Sequence, residues 1–241
     1  MSKFTQGISF FTIMLLALTA VTFASGQMTK QPKIELSHDQ FYFGFMPMNA
    51  IVQHSYWIRN KGNDTLQIIS VKPGCGCTTA PLSKEKIAPD DSALLKVTFD
   101  SKNMVGKMVK DVEIFSNDPQ KPSTSVRFFA VVNREHDFVR ATPNALRFSK
   151  FGAKDGRMVK ALDIKNGSNE TIELKVVELP ADYVAIDRKA AKLKPGETAT
   201  FQVEQTASVT NEADVLTSLT VEFVGQETDR ITIPIVAHLQ K

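Results

Sequence analysis

The sequence predicts an all-β protein: two tandem antiparallel β-sandwiches behind an N-terminal export signal. Three observations carry this. Apolar residues in the body of the chain alternate with polar ones at a period of two, turn-forming clusters punctuate those runs, and two separate turns recur at one common offset. A length of 241 residues fits one or two domains. With 42% hydrophobic and 23% charged residues the chain is too apolar for disorder. A formal net charge of +3 without a basic stretch argues against a nucleic-acid partner. Two cysteines cannot staple a small disulfide scaffold.

The signal comes first in the chain. Lys3 precedes an apolar run from Ile8 to Ala24, and Ala24-Ser25-Gly26 supplies the small residues that a signal peptidase reads. The expected cut lies between Gly26 and Gln27, giving a signal over residues 1–26. An uncleaved anchor is the competing reading, because the run is close to the length that spans a bilayer. No basic stop-transfer cluster follows it, which favours cleavage. No cysteine follows the run to take a lipid anchor, and no later stretch is long and apolar enough to span. The expected product is exported and not membrane-spanning.

Beyond the signal, Tyr56 and Ile58 alternate with Ser55, Trp57 and Arg59. Leu95, Val97 and Phe99 alternate with Lys96 and Thr98. Leu219, Val221 and Phe223 do so with Thr220 and Glu222, and Ile231, Ile233, Ile235 and Ala237 continue the pattern. A period of two places one face of each strand in a core and leaves the other outside. Asn60-Lys61-Gly62-Asn63-Asp64, Pro89-Asp90-Asp91, Ser116-Asn117-Asp118-Pro119, Lys165-Asn166-Gly167-Ser168-Asn169 and Lys194-Pro195-Gly196-Glu197 read as the turns between them. Such short strands and frequent turns describe an antiparallel sandwich.

The halves align with each other. Asn63-Asp64-Thr65-Leu66 matches Asn169-Glu170-Thr171-Ile172, and Ile87-Ala88-Pro89 matches Leu193-Lys194-Pro195, both at an offset of 106 residues. Phe43 and Phe148 fall within one residue of the same register. The period is that of a tandem domain rather than a solenoid. It predicts domains over 33–134 and 137–241, joined by the short polar Asn133-Arg134-Glu135-His136-Asp137 segment.

Cys75-Gly76-Cys77 is the unusual chemistry. Adding the offset lands on Ala181 and Tyr183, so the second copy lacks both thiols and the fold does not require them. Three readings fit: a small-ring disulfide suited to redox exchange, a soft-metal site for Cu(I) or Zn(II), and two small residues packed at a sandwich end. A metal would need further ligands, and His38 and His54 are the histidines in that half. Free thiols are disfavoured in an oxidising exported compartment.

These features together resemble the bacterial domain-of-unknown-function family 1573, common among envelope proteins of Bacteroidota and Planctomycetes. The residues that carry the resemblance are Phe41-Tyr42-Phe43-Gly44, His54 through Gly62, Cys75-Gly76-Cys77-Thr78, Ile87-Ala88-Pro89, Thr98-Phe99-Asp100 and Ser116-Asn117-Asp118-Pro119. The match covers roughly Lys33 to Asn133; the second half shows only the scaffold. That family is similar to the immunoglobulin-like domains of major sperm protein and hydin-type proteins. The resemblance implies a seven- or eight-stranded immunoglobulin-like sandwich, an assembly or binding role and no established catalytic activity; no cofactor is expected apart from the Cu or Zn alternative. One departure is Asp90, where the family tends to have glycine, as the second half does at Gly196.

No nucleophile elbow, phosphate loop or His-Glu-x-x-His helix occurs in the sequence, and the expectation is a protein without enzymatic activity. Trp57, Phe129 and Val131 place apolar side chains on the faces opposite their core-facing neighbours. They mark either inter-domain packing or a partner surface. Pro234 inside the last strand suggests an edge or bulge position that could lend itself to a client strand, as a chaperone would. The leading expectation is a structural or protein-binding module in the periplasm or on the surface of a Gram-negative bacterium, with an envelope protein as partner. Metal binding or thiol exchange through Cys75 and Cys77, with His54 nearby, and a periplasmic chaperone are the alternatives.

Overall fold

A computed structural model describes residues 29–148, 158–206 and 215–237. The signal segment with its Gly26/Gln27 cut lies outside the described residues. Strands in the first half are β1 (Ile34–Leu36), β2 (Gln40–Met46), β3 (Ile51–Asn60), β4 (Leu66–Pro73), β5 (Thr78–Thr79), β6 (Lys86–Ile87), β7 (Ser92–Asp100), β8 (Gly106–Ser116) and β9 (Ser123–Val132). Those in the second half are β10 (Val139–Thr142), β11 (Leu146–Phe148), β12 (Val159–Asn166), β13 (Ile172–Glu178), β14 (Val184–Ile186), β15 (Ala190–Leu193), β16 (Thr198–Gln205), β17 (Val215–Val224) and β18 (Thr228–Ala237). The protein is all-β, with no helix among the described residues.

Two separate cores form. One gathers buried side chains between Ile34 and Val132, the other between Val139 and Ala237. The β1-β3-β7-β5 sheet covers the first core and the β10-β12-β16-β14 sheet the second. The opposite wall of both is one shared ten-stranded sheet, in the order β15-β13-β17-β18-β2-β9-β8-β4-β6 with β11 joining β18. In the first core the rings of Phe43 and Phe99 approach Phe128 at 5.7 and 5.2 Å. Alternation along β7, where Ala93, Leu95, Val97 and Phe99 are all buried, is the period-two pattern read from the sequence.

The shared sheet serves the two cores with opposite faces. Ile231 of β18 packs against the second core, yet it pairs in register with Phe45 of β2, which points away from the first. Register neighbours share a face. The covering sheets therefore stand on opposite sides of the common one, and β3 of the first unit comes to lie on β17 and β18 of the second.

Two details make that junction possible. Gly44 sits at a bulge in β2 with φ of 72°, and a Cβ there would collide with the backbone of Arg230. Small and polar residues of β17 and β18, namely Ser218, Thr220 and Thr232, are buried beneath the first unit. Thr232 donates its hydroxyl to the Phe43 carbonyl, and the Gln53 amide donates to Ser218 Oγ at 3.1 Å.

Pro234 is not at an edge. Its strand pairs with β17 along one side, while the other side is taken by β2 at Ile231 and by β11 from Ile235 onward. Pro234 falls at the changeover between those two partners, where no ladder bond needs its missing N–H. The edge inferred from the sequence is thus already covered.

The offset of the two halves extends to a buried asparagine in each. Asn60 donates from Nδ2 to the carbonyls of Asp64 and Ile87 at 2.7 and 2.9 Å. Asn166 does the same to Glu170 and Leu193 at 2.7 and 3.1 Å. Each ties together the two turns whose sequences align. Asp90 and Gly196 also correspond in conformation, with φ of 59° and 80°, so the departure at Asp90 keeps the same left-handed turn.

Candidate functional site

Cys75-Gly76-Cys77 lies where the chain crosses from β4 in the shared sheet to β5 in the covering sheet. Pro73 ends β4, the Gly74 amide bonds the Asp111 carbonyl at 2.9 Å, and the Thr78 amide returns to the Cys75 carbonyl at 3.3 Å. Those bonds fold the crossing back on itself and bring the two sulfurs together. Cys75 and Cys77 form a disulfide with their Cα atoms 5.2 Å apart. Both are half-buried, and Thr78 Oγ1 lies 3.3 Å from Cys75 Sγ. In this state neither sulfur is a thiolate, the form that binds metal or attacks a disulfide.

His54 is elsewhere. It faces inward from β3, whereas Cys77 lies two strands across and three residues along, about 14 Å away at ordinary strand spacings. The grouping of His54 with the cysteines is corrected accordingly. Among the described residues no three histidine, cysteine or acidic side chains gather into a metal-binding group.

What His54 does meet was not legible in the sequence. Its Nδ1 lies 2.7 Å from Glu178 Oε2, and its Nε2 lies 2.6 Å from Nε2 of His38. The ring is buried and stacks on Phe41 at 3.6 Å between centroids, with Tyr56 edge-on. His38 Nδ1 is 2.9 Å from Ser37 Oγ, which accepts from the Trp57 amide. Burial and then neighbouring His54 hold the His38 ring below the usual histidine range, against opposite pulls from Glu178 and Asp39. Glu178 comes from the second unit, 124 residues along the chain, and no local pattern marks it.

Trp57, Phe129 and Val131 do not form one surface. Trp57 is 45% exposed on the outer face of the covering sheet, opposite Leu94. Phe129 and Val131 lie on the outer face of the shared sheet, on the other side of the sandwich. There they join a wider apolar strip. Val109, Phe129 and Tyr42 stand in register across β8, β9 and β2, with Val131 and Phe45 in the next row. Val109 is 56% exposed at its rim, beside Lys107 and Asp111. Burial, the Asp229 charge and a hydrogen bond to Asp229 push the Tyr42 phenol upward, so its hydroxyl stays a donor.

Solved structures align with the chain at low identity and low TM-score. A protein of unknown function from Porphyromonas gingivalis is 12% identical, with 84% of this chain and 99% of that one aligned at a TM-score of 0.34. The periplasmic chaperone SfaE aligns over 86% of this chain and all of its own (100%), at 8% identity and a TM-score of 0.31. The tandem Ig repeats of Dlar align over 87% and 100%, at 11% identity and a TM-score of 0.34. No curated protein matches the chain. The first unit, residues 34–132, with its disulfide crossing and its apolar outer strip, matches the model of the family described as protein of unknown function (DUF1573).

Proposed function

We propose that the protein is a non-enzymatic, exported binding module of the bacterial envelope, and that it holds a protein partner on the outer face of the shared sheet in the first unit. The observation that carries this reading is the Val109–Phe129–Tyr42 row with Val131 and Phe45 beside it. Apolar side chains standing in adjacent rows on a partly exposed sheet face, open at Val109 and rimmed there by Lys107 and Asp111, have the composition of a partner surface. The junction supports it. A sheet continuous through β18 and β2 fixes the second unit against the first, so a partner meets a preorganised body. Export and the envelope enter from the signal-like N-terminus and the family resemblance.

The test is binding by the immobilised protein to envelope fractions of its source cells across a range of salt. One partner retained by the native chain and lost from Val109→Glu, with the variant still folded, is the expected result. Equal retention by the variant would remove the strip from the proposal.

A second reading is favoured by the Cys75–Cys77 disulfide. A partner thiolate attacking either sulfur would form a mixed disulfide and release the other cysteine as thiolate, so the loop could exchange disulfides or link to a partner. Cu(I) or Zn(II) would require reduction of the pair first. In a Cys77→Ser variant the remaining Cys75 thiolate can attack a partner disulfide and hold it as a mixed disulfide, the partner's second sulfur leaving as thiolate, which tests exchange; no adduct with any disulfide-bearing protein or small disulfide excludes it.

A further inference from the structure

The junction between the units contains an unbroken run of hydrogen bonds from Ser37 through His38 and His54 to Glu178. At one end the Trp57 amide donates to Ser37 Oγ, whose hydroxyl can either donate to His38 Nδ1 or accept from it. At the other end Glu178, a carboxylate that only accepts, requires the proton of His54 on Nδ1. With both rings neutral, His54 Nε2 is an acceptor and His38 Nε2 the donor, across the 2.6 Å between them, and His38 Nδ1 accepts from Ser37. Every donor and acceptor is used once with both rings neutral. One added proton can still be housed, because the line between the two Nε2 atoms needs a single hydrogen whichever ring owns it. A second cannot: it places two N–H groups face to face.

We propose that His38 and His54 form a proton-sensitive clasp between the two units, closed while the pair shares one hydrogen along the Nε2–Nε2 line and opened when each ring carries its own. This goes beyond the partner-binding reading and does not depend on it.

The charged and titratable groups around the pair come from every element packed against it. Glu178 from β13 and Asp39 beside His38 favour protonation. Tyr56, on the same strand as His54, is pushed upward by burial, Glu178 and Asp39 and stays neutral, its hydroxyl donating to the Arg127 carbonyl. Arg230 from β18 lies over the opposite ring of the stack, Phe41, at 5.2 Å. Its charge is held by Glu222 through two bonds of 2.9 and 2.7 Å. The ring of His38 being held down sets the sign. A group more acidic in the closed state contributes closure that is complete above its free value and lost as the pH falls through its bound one. The clasp therefore opens on acidification, as the pH falls from the ordinary histidine range to below it.

The Gln53 amide reports the opening directly, because its acceptor is Ser218 Oγ on the second unit. Amide exchange would be followed by NMR from neutral pH to pH about 5 in the chain as purified, corrected for the intrinsic pH dependence of exchange. Protection at Gln53 is expected to fall on the order of fivefold, while Leu95 in the first core keeps its own. Ring signals of His38 should titrate over the same range. His38→Gln keeps a donor for His54 Nε2 and cannot be charged, so its Gln53 protection should not change with pH. Constant protection in the native chain overturns the proposal, as does an equal fall in folded His38→Gln. Should that variant not fold, a fall at Gln53 that does not follow the His38 titration overturns it alone.

Discussion

Gly44 of the first unit lies directly against the Arg230 backbone of the second, with no space between them for a side chain. The contact sits at the point where β2 and β18 become neighbours in one sheet. It turns two sandwiches into a single body.

A methyl group at position 44 meets both obstacles at once: a left-handed φ of 72° and a carbonyl that belongs to backbone and cannot swing away. Gly44→Ala is expected to lose about 2–4 kcal/mol in chemical denaturation. Gly76→Ala, where a Cβ meets open space, should stay within roughly 0.5 kcal/mol of the native chain. Equal effects at both positions would refute the close-packed junction.

Removing the side chain of Asn60 takes the donor from the buried carbonyl of Ile87 and the part-buried one of Asp64, and the same truncation at Asn166 takes it from the buried carbonyl of Leu193 and the part-buried one of Glu170. Each alanine variant should lose roughly 2–4 kcal/mol. If the units unfold as separable steps, each variant should shift mainly the step of its own half, which calorimetry would resolve.

Asp118 explains why Ser116-Asn117-Asp118-Pro119 belongs to the fold. Burial alone would push its carboxyl upward, but amides of Ile34, Gln120 and Lys121 donate to it and hold it below the usual range. A depressed acid contributes stability above its unfolded value, about 4, and loses it as the pH drops further. Asp118→Asn should therefore destabilise the chain at pH 7 by about 1–3 kcal/mol and by progressively less below pH about 4, where the contribution of the ionised carboxylate is being lost. A pH series of denaturation midpoints checks this.

The disulfide closes a ring with a sequence separation of only 2, the kind of loop whose closure entropy is small. Cys75→Ser with Cys77→Ser should fold, with a loss below about 2 kcal/mol. Alkylation of the native chain should require reductant. Immediate labelling without it would show free thiols and reopen metal loading.

Much of this architecture was legible because it is written locally. Alternation at Leu219, Val221 and Phe223 gave the strand, and the shared offset of the turns led to equivalent asparagines at 60 and 166. Cys75-Gly76-Cys77 was visible as chemistry added to a scaffold that works without it. What escaped is non-local. The same sheet-crossing position that carries the cysteines in the first unit begins at Glu178 in the second, and there it clasps His54. No spacing in the sequence joins residues 124 apart. Pro234 misled for a related reason: proline signals a missing donor, and the sequence does not show that two different strands meet on either side of it. Trp57 and Phe129 were both correctly placed outside a core by alternation, but alternation cannot say which sheet a strand joins.

The central claim is that the outer strip of the first unit holds a partner. Its most direct test is a photo-crosslinking amino acid at position 109, compared with position 96 on the opposite covering sheet, in the cells that make the protein. One adduct of defined mass from 109, absent from 96, is the expected result. No adduct at 109, or the same adducts from both positions, would contradict it.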